Sequence, residues 1–132
     1  MFIDRLLNQD SSPVLEQLLR FTETRQRVLA DDVANIDTPN FIQQDVSQAD
    51  FQDQLQQKIQ QAAESSPGSV NFNDISMDVQ DGGGLMFQDG NNRSMEQLMT
   101  DQAKNALLHN VAVELLRQQF MKLEAALKEQ PE

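Results

Sequence analysis

The stretch of sequence that decides the fold is residues 94–129, SMEQLMTDQAKNALLHNVAVELLRQQFMKLEAALKE. Alternating steps of four and three residues connect one mostly apolar stripe in it: Met95, Met99, Gln102, Ala106, His109, Val113, Leu116, Phe120, Leu123 and Leu127. This spacing is typical of the seam along which one helix packs against another in a coiled coil. Ser94 and Gln97 can form a capping box, and no Gly or Pro follows before Pro131. The pattern therefore predicts a single helix roughly 54 Å long.

A second stripe with the same spacing lies in the N-terminal part of the chain. Its members are Leu15, Leu19, Thr22, Gln26, Leu29, Val33 and Ile36. Ser12-Pro13 is a suitable helix start, with serine as the cap and proline at the first helical position. A rod-like helix cannot fold back to cover its own apolar stripe. We therefore predict a mainly α fold, in which long N- and C-terminal heptad helices pair as an antiparallel coiled coil.

Polar residues interrupt both predicted seams, at Thr22 and Gln26 in one and at Gln102 and His109 in the other. Polar residues inside a seam lower stability but can fix its register and its choice of partner. They can also be tolerated at a solvent-exposed edge, and the sequence leaves both interpretations open.

Three regions are predicted: an N-terminal helical region 1–40, a partly flexible acidic middle 41–91 and a C-terminal helical region 92–132. The middle is irregular. A turn at Pro39-Asn40 precedes a short extended segment, 41–46, and Ser47–Glu64 shows the apolar spacing of a short helix with Asp50 as a candidate N-cap. Alternating residues around the glycines of 82–84 are compatible with a small β-hairpin or with a surface loop.

Charge and composition exclude several classes of function. The chain carries a net charge of −11, and seven of these negative charges lie in the middle region. Such a chain lacks the basic face that nucleic acids and anionic membranes require. Without cysteine there is no disulfide, thiol nucleophile or cysteine-based zinc site. No run of 18 apolar residues and no secretory signal pattern is present.

Sequence patterns for catalysis and cofactor binding are also missing. The glycines of 82–84 are not followed by the Gly-Lys-Ser/Thr of a phosphate-binding loop. The acidic residues Asp74, Asp78 and Asp81 do not have the spacing of a calcium loop, and His109 is the only histidine. We therefore expect no enzyme, cofactor, metal site or small-molecule substrate.

Residues 25–41, RQRVLADDVANIDTPNF, resemble the N-terminal signature of the bacterial flagellar axial proteins, the family of rod and hook subunits. The residues that match the motif are Asn35, Asp37, Thr38, Pro39 and Phe41. Asp89-Gly90-Asn91-Asn92 is similar to the entry to the family's C-terminal helix. Asn40 and Asp32 depart from the pattern, because they replace a glycine and an asparagine, respectively. The Asp37-Thr38-Pro39 form favours a proximal rod subunit over other axial subunits.

The resemblance implies a structural subunit of the flagellar basal-body rod, exported by the flagellar type III apparatus without a cleaved signal peptide. Its implied partners are copies of itself, other rod proteins, and membrane-ring and export-gate components of the basal body. A cytoplasmic coiled-coil adaptor, an export chaperone and another axial subunit are the alternatives. The residues expected at interfaces are Leu15, Leu19, Leu29, Val33, Ile36, Val113, Leu116, Phe120, Leu123 and Leu127.

Overall fold

The computed structural model describes residues 11–66, 68–81 and 94–129. Within them the chain forms three helices and two short strands, confirming a mainly helical fold. In order, the elements are α1 (Ser11–Ala34), β1 (Gln44–Val46), α2 (Gln48–Glu64), β2 (Val79–Asp81) and α3 (Met95–Glu129). Three predicted features lie wholly or partly outside the described residues: the first ten residues of the N-terminal region, the hairpin or loop around the glycines of 82–84 and the helix entry at 89–92.

Helices α1 and α3 pack side by side and run antiparallel. Hydrogen bonds establish the direction, since Ser12 is bonded to Gln119 near the start of α1, and Gln26 is bonded to Asn105 further along it. Helix α3 has 35 residues and α1 has 24. Because Gln119 lies opposite the first turn of α1, the last ten residues of α3 extend beyond that turn.

The helix starts are partly as predicted. The Ser94 hydroxyl accepts a hydrogen bond from the Gln97 backbone N–H at 3.2 Å, which confirms Ser94 as the cap of α3. The predicted cap of α1 is wrong, because the helix already includes Ser11 and the Ser12 hydroxyl donates to Gln119 Oε1 at 2.6 Å. The cap of α2 is Ser47, which accepts from the Asp50 N–H, and not Asp50 itself.

The two strands form an antiparallel pair between distant parts of the chain. Val46 lies opposite Val79, and Gln44 lies opposite Asp81. The extended segment predicted at 41–46 is thus confirmed for its second half. Its partner, β2, comes from the segment before the glycines of 82–84, for which the sequence allowed either a hairpin or a surface loop.

The apolar core lies between α1 and the described part of the middle region. It consists of Phe21 from α1, Val46 from β1, Phe51 from α2, and Phe72 and Ile75 from the segment before β2. The Phe21 and Phe51 rings stack with their centroids 4.4 Å apart. As a result α1 is covered on one side by α3 and on another by residues of the middle region.

Candidate assembly interface

A polar layer crosses the contact between α1 and α3. The Thr22 hydroxyl lies 2.9 Å from His109 Nδ1 and donates to the Leu19 carbonyl, also at 2.9 Å. The structure therefore joins two of the four polar residues predicted on the seams and places them inside the contact.

Asn105 completes this layer, and the sequence analysis missed it. Its Nδ2 donates to the Thr22 carbonyl at 2.8 Å and to Gln26 Oε1 at 3.0 Å, and the side chain is buried. The sequence signal that could have found it is the seven-residue spacing of Leu98, Asn105 and Ala112. All three residues are buried in the structure. A buried asparagine at such a position fixes the register of paired helices, because any shift leaves its amide without partners.

A groove of about 490 Å³ opens beside this layer, between the two helices. Helix α1 contributes Thr22, Glu23, Gln26 and Arg27 to its lining, and helix α3 contributes Asn105, Ala106, His109 and Asn110. The groove shows that the helix pair is not closed on this flank. A side chain from another molecule has room to enter here.

The signature residues shape the exit from α1. Asn35 Nδ2 donates to the Asp31 carbonyl at 2.9 Å, and its Oδ1 accepts from the Thr38 hydroxyl at 3.2 Å. The Phe41 N–H then bonds back to the Thr38 carbonyl, closing a turn across Pro39 and Asn40. Asn40 has a φ of 64°, the left-handed conformation that explains why the family pattern has glycine there. Asp37 is exposed, and Phe41 is half-buried.

Two residues of the signature, Arg25 and Asp32, hold the returning chain against α1. Asp32 is buried, and its Oδ1 accepts the Gln44 N–H at 2.8 Å, so this departure from the family asparagine acts as a hydrogen-bond acceptor. Arg25 binds Asp45 through two hydrogen bonds of 3.0 and 3.1 Å. Asp45 Oδ1 also accepts the Val46 N–H at 2.7 Å, which ties this ion pair to β1.

The residues predicted at interfaces fall into two groups in the structure. Leu15 and Leu29 are buried, and a further set is half-buried: Leu19, Val33, Ile36 and Leu116. The other four are between 43% and 63% exposed: Val113, Phe120, Leu123 and Leu127. These four therefore do not form the buried contact with α1. As contacts with other subunits they stay a prediction.

The most buried positions of α3 in its contact with α1 lie on a stripe one residue before the predicted seam, although His109 of that seam also contacts Thr22. This stripe follows a seven-residue spacing through buried Leu98, Asn105 and Ala112 and half-buried Gln119, and half-buried Ala126 continues the spacing past the first turn of α1. We name these five residues the inner stripe. Five residues of the predicted seam follow one position later, and Gln102, His109 and Leu116 border both sets.

Neither a metal cluster nor a membrane span is found in the parts of the chain that the structure describes. No group of three or more His, Asp or Glu side chains within 11–66, 68–81 and 94–129 could hold a metal ion. Asp74, one of the acidic residues considered above, binds Lys58 at 2.8 Å. Across those same ranges, every helix is too short or too polar to cross a bilayer.

Comparison with known proteins gives one informative match. The flagellar basal body rod protein FlgB of Bacillus subtilis (strain 168) is 30% identical over 116 residues, which cover 86% of this chain and 89% of that protein. No family model matches the chain, and no solved structure matches it.

Proposed function

Because this chain belongs to the flagellar basal-body rod protein family, we propose that it is a structural subunit of the proximal rod, of the FlgB type, and not an enzyme. It polymerises through its terminal helices with copies of itself and other rod proteins, next to membrane-ring and export-gate components of the basal body. It reaches the rod, which spans the periplasm, through the flagellar type III apparatus and without a cleaved signal peptide.

The observation that carries this proposal is the match to FlgB over 86% of this chain and 89% of the relative. A match of that extent relates the two proteins over nearly their whole lengths. The signature residues support it further. Asn35 and Thr38 form hydrogen bonds at the C-terminal end of α1, and Arg25 forms an ion pair with Asp45 of β1.

The distribution of exposed apolar side chains supports an assembly role for α3. Most of the large exposed hydrophobic residues among the described ones lie on this helix: Met95, Met99, Leu107, Val111, Val113, Leu115, Phe120, Met121, Leu123 and Leu127. A concentration of exposed apolar side chains on one element marks interaction sites in folded proteins. In the assembled rod, α1 and α3 form an antiparallel coiled coil, and the exposed members of the predicted interface contact neighbouring subunits.

The decisive experiment is quantitative mass spectrometry of hook–basal bodies purified from the source bacterium and washed free of soluble protein. We expect this chain in the particles, and we expect a deletion strain to lose motility and to recover it with the wild-type chain. A cytoplasmic enzyme measured in the same samples is the control for contamination. Recovery of the chain only in the soluble cytoplasmic fraction would replace the rod proposal with the adaptor or export chaperone.

A further inference from the structure

The groove between α1 and α3 is lined by a buried hydrogen-bond acceptor that the subunit does not satisfy. Asn105 lines this groove, and both hydrogens of its Nδ2 are used in the bonds to the Thr22 carbonyl and to Gln26 Oε1. Its Oδ1 is buried as well, but no group in the described part of the chain donates to it. A buried amide oxygen without a donor destabilises the fold until a group from outside supplies that donor.

The deeper residues of the groove are polar and uncharged. Thr22 and Asn105 are buried, Gln26 and His109 are half-buried, and none of the four carries a carboxylate, an ammonium or a guanidinium group. The volume of about 490 Å³ lies within the range of ligand pockets in proteins. The groove therefore has room for a polar group of appreciable size beside Asn105.

The charges at the mouth of the groove oppose an ion of either sign. Among the described residues that line it, Glu23 and Arg27 are charged, both are exposed, and they lie one turn apart on α1. An entering carboxylate would meet Glu23 and the lone pairs of Asn105 Oδ1, and an entering ammonium or guanidinium group would meet Arg27. A neutral group avoids both repulsions. A primary amide is neutral and supplies two N–H donors and an acceptor oxygen.

We propose that this groove binds the side-chain amide of a glutamine or asparagine that a partner polypeptide presents. The amide nitrogen donates to Asn105 Oδ1, and the amide oxygen accepts from Arg27 or Asn110 at the mouth. Because Oδ1 is covered in the free chain, the entering amide shifts the half-buried side chain of Gln26 or His109 to reach it. The open flank of the groove lets the partner's main chain stay outside. Binding of this kind does not depend on the role of the chain in the rod.

Blocked amino acids of similar size test the chemistry of the groove. The full-length chain is labelled with ¹⁵N, and NMR follows the side-chain amides of Asn105 and Gln26 while N-acetylglutamine methylamide is added. We expect saturable shifts with a Kd of about 1–10 mM, and at least about tenfold weaker binding of the glutamate, lysine and methionine analogues. Equal binding of the methionine analogue would show a site for apolar groups. Tighter binding of the glutamate or lysine analogue would show a site for charge, and either result would overturn the proposal.

Ala106 and Ala103 provide matched variants on α3. Both side chains are exposed, but only Ala106 lines the groove. Ala106→Phe fills the groove and should weaken binding of the glutamine analogue about tenfold or more, whereas Ala103→Phe should leave it within about twofold of wild type. Urea unfolding of both variants checks that a loss of binding is not a loss of fold. Unchanged binding in Ala106→Phe, or the same loss in Ala103→Phe, would place the amide elsewhere and contradict the proposal.

Free glutamine distinguishes a polypeptide partner from a free amino acid. We expect it to bind no more tightly than the blocked analogue, because the contacts are made by the side-chain amide. If free glutamine bound at least about tenfold more tightly, the groove would be a site for the amino acid itself, and the polypeptide assignment would be wrong. If no analogue gave a saturable shift up to about 50 mM, solvent would satisfy Asn105 and the proposal would fail, while the proposed function in the rod would be unaffected.

Discussion

The two long helices differ in how much of their surface the rest of the subunit covers. Six described residues of α1 are buried: Leu15, Gln17, Phe21, Thr22, Leu29 and Asp32. On the longer α3 only Leu98, Asn105 and Ala112 are buried among the described residues. The difference arises because α1 lies between α3 and the middle region, whereas α3 packs mainly on α1.

This difference assigns separate tasks to the two helices. Helix α1 organises the folded subunit, because every other described element packs on it or pairs with something that does. Helix α3 keeps most of its apolar surface available, which leaves a single subunit less stable than an assembled one. The longest and most regular pattern in the sequence therefore belongs to the less covered of the two long helices.

The sharpest test of this contrast replaces one phenylalanine on each helix. Phe21→Ala should lower the free energy of unfolding by about 3–5 kcal/mol, because it empties a fully buried site and removes the stacking on Phe51. Phe120→Ala should change it by less than about 1 kcal/mol, because that ring is half exposed in the subunit. Urea denaturation followed by circular dichroism measures both. Equal losses would show that α3 is covered as well as α1.

The sequence located α3, but the most buried positions of its contact with α1 lie one residue before the predicted seam. The inner stripe includes polar Asn105 and Gln119 and small Ala112, whereas the predicted seam includes Val113 and Phe120. Hydrophobicity therefore favours the predicted seam. The contact with α1 depends instead on hydrogen bonds and on the burial of a small residue, Ala112, and an apolar pattern indicates neither.

The middle region shows a second limit of sequence reasoning. Its helix follows from local spacing and capping, and the segment at 41–46 follows from the turn before it. The pairing of β1 with β2 joins residues more than 30 positions apart, and Gln17 of α1 is bonded to Asn73 at 3.0 Å. Such long-range contacts form because these segments pack on α1, and a local sequence pattern does not predict them.

The next test measures how much the contact between α1 and the middle region contributes to stability. Removing either partner of the Arg25–Asp45 pair, by Arg25→Gln or Asp45→Asn, should lower the free energy of unfolding by roughly 2–4 kcal/mol, because one partner stays largely buried without the other. The double variant should lose little more than either single variant. Lys58→Gln is the control: its partner Asp74 is mostly exposed, so its loss should be below about 1 kcal/mol. Fully additive losses at Arg25 and Asp45 would mean that the pair does not act as a unit.

A variant in the polar layer tests how much the contact between α3 and α1 contributes to stability. Asn105→Ala removes the bonds to the Thr22 carbonyl and to Gln26, and we expect it to lower the free energy of unfolding by about 2 kcal/mol. Asn110→Ala is the matched control on the rim of the same groove, where the side chain is exposed and the change should stay within about 0.5 kcal/mol. Chemical denaturation measures both variants. If Asn110→Ala lowered the free energy of unfolding as much as Asn105→Ala, the hydrogen bonds of Asn105 would not specifically stabilise the contact between the two helices.

The smallest expected effect concerns the turn that leads the chain back onto α1. Asn40→Ala should destabilise the fold by about 1 kcal/mol, because alanine is strained at a φ of 64° and asparagine less so. Asn40→Gly, which restores the family residue, should remain within about 0.5 kcal/mol of wild type, since relief of the left-handed strain is offset by the greater freedom of glycine in the unfolded chain. The comparison of the two variants by thermal and urea unfolding isolates backbone strain from side-chain contacts. If alanine proved as stable as glycine at this position, the left-handed turn would not determine how the middle region reaches α1, and its cover would have to depend on Asp32 and Arg25 alone.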